Sequence, residues 1–142
     1  MVELAKQAAD IGIVVADLAA QRRFYGERLG LPYAGVLPLP GGEVHVYLCG
    51  ESLLKLYRMG EGVPADAVPF GSRAGLAYLT LTLGDVDGTF ADLQAKGVTI
   101  LSEPGDFDGG VELAPPVGRM KARFALIADA DGNMIELFEY RD

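Results

Sequence analysis

The sequence repeats one pattern of residues twice, and this duplication constrains the fold more than any single motif does. An apolar run at Ile11–Val15 is followed by Asp17 and a stretch with helical spacing. A second apolar run at Leu79–Leu83 is followed by Asp85 and another such stretch. The repeat predicts two halves with the same order of secondary-structure elements.

The first half is predicted to run strand, helix, then two or three strands. Ile11–Val15 is rich in β-branched residues, which favour strands. Asp17 is a typical helix N-cap, and Gly30 is a typical helix end. Glu43–Leu48 alternates apolar and polar residues as strands do, and Ser52–Arg58 is interpreted as the next strand.

The second half is predicted to repeat this order. An aspartate, Asp85 or Asp87, is expected to cap its helix. Its last two strands, Arg123–Ala128 and Met134–Tyr140, flank Asp129–Asn133. That segment contains Asp-Gly and Gly-Asn steps, which tolerate positive φ and are typical of a hairpin turn.

Stretches rich in proline and glycine are interpreted as connections. Gly60–Gly75 is expected to join the two halves. Leu37–Gly42, Pro104–Gly110 and Pro115–Gly118 are expected to form loops or turns within the halves.

The elements together predict an α+β fold made of two tandem βαβββ modules. The first module is expected at residues 8–59, the linker at 60–75 and the second module at 76–142. A chain of 142 residues is long enough for a single domain with a sizeable core. Two curved mixed sheets of this kind are expected to form a cup, which is a typical ligand site when polar and aromatic groups line it.

The duplication nominates four polar positions for that cup. Aligning the first strands of the two halves places Asp10 against Tyr78. Aligning the last strands places Lys55 against Glu136. We expect all four side chains to converge, because equivalent strands carry them in the two halves.

Several segments of the sequence are similar to the vicinal oxygen chelate superfamily, in which glyoxalase I, extradiol dioxygenases and bleomycin-binding proteins are found. The segments that carry this resemblance are Val15–Leu18, Phe24–Tyr25, Leu29–Leu31, Asp129–Asn133 and Ile135–Leu137. The resemblance covers nearly the whole chain and implies the tandem βαβββ fold. It leaves the activity open, because this fold hosts unrelated chemistries.

The resemblance also implies where a metal would lie. Metal-dependent members hold a divalent ion with one ligand from each of four strands, typically His, Glu or Gln, His and Glu. Carried over, those positions are Asp10, Lys55, Tyr78 and Glu136. Glu136 matches and Asp10 is a possible oxygen ligand, but Tyr78 would be an unusual ligand and Lys55 carries the wrong charge at neutral pH. We therefore expect no cofactor and no usual metal site, although a divalent ion in a rearranged site stays a disfavoured alternative.

The same four positions suggest an ion-paired pocket. In this hypothesis the Lys55 ammonium takes the place of the metal, held between the Asp10 and Glu136 carboxylates with Tyr78 nearby. The residues predicted to bind a ligand are Asp10, His45, Tyr47, Tyr57, Tyr78, Thr80 and Phe138.

Two functions follow from this pocket. The first is a glyoxalase- or bleomycin-resistance-like protein that binds a small organic molecule in the cup. The alternative is an enzyme, an isomerase, lyase or dioxygenase-like protein, in which Lys55, Tyr78 and Glu136 perform acid–base chemistry or a rearranged metal site acts.

Composition limits the classes of binding partner and the cellular compartment that we expect for this protein. A formal net charge of −8 argues against nucleic acid, whose phosphates require clustered cations. No run approaches the roughly 20 apolar residues of a membrane span, and the first residues do not resemble a signal peptide. One cysteine, Cys49, excludes an internal disulfide framework. A cytoplasmic protein is predicted, and a homodimer is expected, with modules paired within one chain or by exchange between chains.

Overall fold

The structure is a computed structural model that describes residues 1–142. The chain divides into two compact units, Met1–Asp66 and Ala67–Asp142. Each unit contains one helical segment and one four-stranded mixed sheet in the order strand, helix, strand, strand, strand. The predicted α+β architecture of two tandem βαβββ modules is therefore confirmed.

The first unit has its parallel strand pair at one edge of the sheet. The strands lie in the order β1, β4, β3, β2, with β1 and β4 parallel and the other pairs antiparallel. Helix α1 continues directly into a π-helical segment. The elements are β1 (Ile11–Val14), α1 (Leu18–Arg22), the π-helical segment (Arg23–Arg28), β2 (Tyr33–Leu39), β3 (Gly42–Cys49) and β4 (Ser52–Met59).

The second unit repeats this topology. Its strands lie in the order β5, β8, β7, β6, and β5 and β8 are parallel. The elements are β5 (Tyr78–Thr82), α2 (Val86–Ala95), β6 (Thr99–Leu113), β7 (Gly118–Ala128) and β8 (Met134–Tyr140). Between β4 and β5 the chain forms no helix or strand. No helix of the structure has the length and apolar character that a membrane span requires.

The helix starts follow the local chemistry of the sequence. The carboxylates of Asp17 and Asp85 each accept a hydrogen bond from the backbone N–H three residues further on, at 3.0 and 2.9 Å. These contacts confirm Asp17 as a cap and select Asp85 over Asp87 for the second helix. Gly30 and Gly97 follow the helical segments with φ of 74° and 78°, a region that glycine adopts without steric cost.

In each unit the core lies between the helix and one face of the sheet. In the first unit Leu54 and Leu56 are fully buried on that face, and Phe24 of the π-helical segment is buried as well. In the second unit Ile135 and Leu137 occupy the equivalent places on β8. Strand alternation directs the neighbouring side chains to the opposite face, which is called the helix-free face below.

The prediction of a loop or turn at Leu37–Gly42 was right about the turn and wrong about its extent. Strand β2 continues through Leu39, and only Pro40 and Gly41 form the turn to β3. Pro38 is tolerated because β2 is the outermost strand, so its missing N–H faces no neighbouring strand.

The prediction of a loop at Pro104–Gly110 was also wrong. These residues belong to β6, which is the outermost strand of the second sheet. Its pairing with β7 shifts register three times, and Pro104 falls in the shift between Ser102 and Gly105. Bulges of this kind accommodate proline in an edge strand. The predicted turn at Pro115–Gly118 does join β6 to β7, although Gly118 already belongs to β7.

Candidate ligand-binding site

The parallel pairing of β1 with β4 places Asp10 beside the strand that carries Lys55. Gly12 pairs with Lys55, so Asp10 lies level with Leu53. The Asp10 carboxylate accepts a hydrogen bond from the backbone N–H of Leu53 at 2.8 Å and forms an ion pair with the Lys6 ammonium at 2.6 Å. The Lys6 contact first, and then the Leu53 N–H, lower the pKa of Asp10.

Lys55 lies on the helix-free face of the first sheet and is half-buried. Its strand neighbours Leu54 and Leu56 point into the core, whereas Val46 lies opposite Lys55 on the helix-free side. The Lys55 side chain makes no hydrogen bond and no ion pair. Its charge makes only the weakest contribution to lowering the pKa of Asp10, so the two groups are near each other without being paired. The Asp10 carboxylate is thus held by Lys6 and not, as hypothesised from the sequence, by Lys55.

Tyr57 lies on the same face as Lys55, two residues along β4. Its ring lies against β1 at Gly12, where an added Cβ would come within 3.1 Å of the ring carbon Cε2. Glycine at this position leaves room for the aromatic ring, because real Cβ atoms rarely approach so closely. The helix-free face of the first unit therefore combines an ammonium group with an aromatic ring.

In the second unit Glu136 contacts the neighbouring strand. Thr80 and Glu136 are paired residues of the parallel strands β5 and β8, and the Thr80 hydroxyl donates to Glu136 Oε1 at 3.0 Å. Tyr78 precedes Thr80 on the same face and is exposed, with its ring centroid 6.0 Å from that of Phe70. One carboxylate oxygen of Glu136 is thus engaged while the phenol of Tyr78 faces outward.

Further aromatic side chains continue this face along β8. Phe138 is nearly buried and packs edge-to-face against Tyr140, with ring centroids 4.9 Å apart. Phe138 lies level with Thr82 and opposite Phe124 of β7. The helix-free face of the second unit is therefore aromatic with one hydroxyl–carboxylate pair.

The structure places His45 and Tyr47 on the other side of the first sheet. His45 pairs with Leu56 and Tyr47 with Leu54, so both share the helix-covered face with these core residues. The Tyr47 hydroxyl accepts a hydrogen bond from Arg22 Nε at 3.2 Å, which ties it to the helical segment. Neither side chain shares the face of Lys55, although the sequence grouped them as ligand-binding residues.

The sequence held a signal that would have separated these faces. Gly50 and Glu51 form a two-residue turn that pairs Cys49 with Ser52. Counting back from that pair brings Val46 opposite Lys55 and sends the residues on either side of Val46 to the other face.

Two βαβββ modules with polar and aromatic side chains on the helix-free faces of their sheets have the organisation of vicinal oxygen chelate proteins. The family model described as "Glyoxalase/Bleomycin resistance protein/Dioxygenase superfamily" matches residues 7–137. The chain belongs to this superfamily.

Solved structures share the fold at low sequence identity. A glyoxylase/bleomycin resistance protein/dioxygenase domain from Frankia sp. is 18% identical with a TM-score of 0.72, and 99% of each chain is covered. A glyoxalase family protein from Enterococcus faecalis is 20% identical with a TM-score of 0.68, covering 95% of this chain and 98% of that one. A lactoylglutathione lyase from Agrobacterium tumefaciens is 21% identical with a TM-score of 0.61 and 96% coverage of each chain. No curated protein gives a significant match.

The donor set differs from that of the metal-dependent members. At the position that the resemblance matches to a carboxylate or amide ligand, Lys55 presents an ammonium group, and a protonated amine has no lone pair for a metal. The Asp10 carboxylate is already paired with Lys6. Within either unit no three His, Cys, Asp or Glu side chains gather into a group that could hold a metal ion. These residues do not fit the family's divalent-metal pattern.

Proposed function

We propose that the chain binds a small organic molecule on the helix-free face of its first sheet, without the divalent metal of the metal-dependent superfamily members. The observation that carries this proposal is the environment of Lys55. The resemblance matches it to a metal-ligand position of those members, and its half-buried ammonium makes no hydrogen bond or ion pair within the protein.

An unpaired, half-buried ammonium supports an anionic group on the ligand. Folding removes part of its water without supplying a protein acceptor, and a ligand carboxylate would replace that water. Lys6 and Lys55 contribute two positive charges near the single carboxylate of Asp10. The local charge is therefore positive on a chain whose formal net charge is −8. The ring of Tyr57 on the same face provides apolar contact for the rest of the ligand.

The helix-free face of the second unit, taken by itself, also carries groups suited to an aromatic or hydroxylated molecule. Tyr78 is an exposed aromatic residue on its helix-free face. Glu136 uses Oε1 to accept from Thr80, and its other oxygen accepts no hydrogen bond in the structure. Polar groups placed among aromatic side chains are typical of small-molecule sites.

The experiment measures metal content and ligand binding on the full chain. Protein purified in chelator-free buffer is analysed for metals by mass spectrometry. It is then melted with matched acid and amide pairs, such as benzoate with benzamide and phenylacetate with phenylacetamide. We expect no stoichiometric divalent ion, and a larger rise in melting temperature with the acids that EDTA does not change.

Two variants separate the role of Lys55 from a general charge effect. In Lys55→Gln we expect the acids to lose their advantage over the amides. Lys96→Gln removes the same charge from an exposed ion pair with Asp92. In this variant we expect the acids to keep their advantage over the amides. A stoichiometric divalent ion whose removal abolishes the shift would contradict the proposal. So would an acid advantage that survives in Lys55→Gln.

A further inference from the structure

A line of polar contacts crosses the helix-covered face of the first sheet. Glu43 Oε1 lies 3.1 Å from His45 Nε2, and His45 Nδ1 lies 2.9 Å from the Tyr33 hydroxyl. Glu43 and His45 are two residues apart on β3, so their side chains share one face, and Tyr33 begins the outermost strand β2. The order of the three groups is carboxylate, imidazole, phenol.

Hydrogen-bond chemistry assigns the protons along this line. An ionised Glu43 can only accept, so Nε2 of His45 carries the hydrogen. Hydrogen bonds from His45, and then from Arg58, lower the pKa of Glu43 and keep it ionised. In neutral His45, Nδ1 is then the lone-pair nitrogen, and the Tyr33 hydroxyl donates to it. A carboxylate that fixes the tautomer leaves the imidazole ready to take a proton from the phenol.

One arginine side chain lies over the Tyr33 ring, and a second contacts Glu43. The Arg22 guanidinium lies 4.5 Å from the centroid of the Tyr33 ring. Arg58 pairs with Glu43 at 3.3 Å, so two guanidinium groups face one carboxylate in this cluster. The hydroxyl of Tyr47 also lies in this cluster and accepts a hydrogen bond from Arg22 Nε. The Arg22 guanidinium over the ring can stabilise negative charge that develops on the Tyr33 oxygen when it attacks an acyl group.

The exposed fraction of Tyr33 distinguishes it from residues whose role is only structural. His45 is 6% exposed and Tyr47 is 2% exposed, as expected for groups that complete a buried network. Tyr33 is 44% exposed, so a donor molecule in solvent can approach its side chain. A hydroxyl backed by a base, which a third group orients, is the arrangement of an activated nucleophile.

We propose that Tyr33 is a nucleophilic tyrosine, activated by His45 and Glu43, that accepts an acyl group from an activated acyl donor. The Tyr33 oxygen attacks the acyl carbon, the bond between that carbon and the leaving group breaks, and the phenol proton passes to His45 Nδ1. His45 then delivers this proton to the leaving group, so the ester on Tyr33 and the neutral leaving group are the products. This site lies on the opposite face of the sheet from Lys55 and is independent of the proposed function.

The test uses N-acetylimidazole as the acyl donor and peptide mass mapping as the readout. Imidazole is the leaving group, and hydroxylamine reverses acetylation of tyrosine but not of lysine. Tyr140 is the matched control, because it is 54% exposed and its ring contacts Phe138 instead of a histidine. At pH 7 we expect the initial rate at Tyr33 to exceed that at Tyr140 by about tenfold or more, the scale of general-base assistance.

Variants assign the effect to the base. In His45→Gln we expect Tyr33 to react at the rate of Tyr140, and in Glu43→Gln we expect an intermediate rate because the hydrogen bond to His45 persists without the charge. Circular dichroism checks that each variant is folded. A Tyr33 rate no higher than that of Tyr140 in the unaltered protein overturns the proposal, whatever the variants do. An undiminished rate in folded His45→Gln overturns it as well.

Discussion

Replacing Lys55 with methionine is expected to stabilise the protein, which is an unusual outcome for removing a charge from a half-buried position. The two side chains have similar lengths, so methionine keeps the apolar contacts of the lysine stem with the helix-free face. The change removes an ammonium group that has lost water on folding and has gained no hydrogen bond. Residues retained for ligand binding are often suboptimal for stability in this way.

Two opposing effects determine the magnitude. Leaving a fully buried polar group unsatisfied costs about 1–3 kcal/mol, and the half-buried Lys55 is expected to recover roughly 1 kcal/mol when replaced. Against this, the attraction to Asp10 is lost. That attraction is small, because it makes the weakest contribution to the lowered pKa of Asp10. The net gain is about 0.5 kcal/mol, or roughly 1–2 °C in melting temperature for a chain of this size.

Urea unfolding followed by circular dichroism measures the difference at pH 7. The matched control is Lys96→Met, which breaks an exposed ion pair between Lys96 Nζ and Asp92 Oδ2 at 2.9 Å. That variant is expected to lose about 0.3–0.5 kcal/mol, so the two substitutions should change the free energy of unfolding in opposite directions. A loss of more than about 1 kcal/mol in Lys55→Met would refute the reasoning, since it would mean that the ammonium has a stabilising partner in the folded protein.

Three further predictions test neighbouring features. Gly12→Ala places a methyl group 3.1 Å from the Tyr57 ring. The rise in melting temperature caused by ligand should therefore fall, while the urea midpoint changes little. An unchanged rise would exclude Tyr57 from binding. Asp129→Ala removes a buried carboxylate that accepts hydrogen bonds from two backbone N–H groups and a side-chain amide. The free energy of unfolding in urea should fall by about 2–4 kcal/mol, and a loss below about 1 kcal/mol would contradict this account of the turn. Because the folded pKa of Asp10 is lowered, its contribution to stability should be present above the unfolded pKa and be lost as pH falls through the folded value. In Asp10→Asn the urea midpoint should therefore change less between pH 5 and pH 2 than in the unaltered protein. An unchanged pH dependence of the midpoint would count against the Lys6 ion pair.

Local chemistry made part of the fold predictable. The helix start at Asp17 could be read from the sequence, and the second start was narrowed to Asp85 or Asp87, because a capping carboxylate bonds to an N–H only three residues away. The duplicated order of elements was equally visible, since each strand is a short apolar run. The strands that contain Pro38 and Pro104 were missed, because their tolerance of proline depends on lying at a sheet edge. Edge position is a property of the assembled sheet and not of the segment.

The strand faces on which the candidate residues lie were more predictable than the contacts of their side chains. The duplication placed Lys55 and Glu136 on equivalent strands, and the structure has both on the helix-free faces of their sheets. The partner of Asp10 was missed, although Lys6 lies four residues before it in the sequence. The bond between Thr80 and Glu136 required the register of two strands that are far apart along the chain. Pairings of this kind follow from sheet assembly, which residue patterns in one segment do not encode.

The alternation of β3 separates the two sites proposed for the first unit. Val46 lies opposite Lys55 on the helix-free face, and His45, the preceding residue, directs its imidazole to the helix-covered face. A substitution at His45 therefore changes the surroundings of Tyr33 without removing a group from the face of Lys55. Lys55→Gln likewise leaves every contact between Glu43, His45 and Tyr33 in place. Loss of tyrosine acetylation and loss of the acid advantage in ligand binding are thus separable results, and a variant that abolished both would indicate unfolding of the sheet.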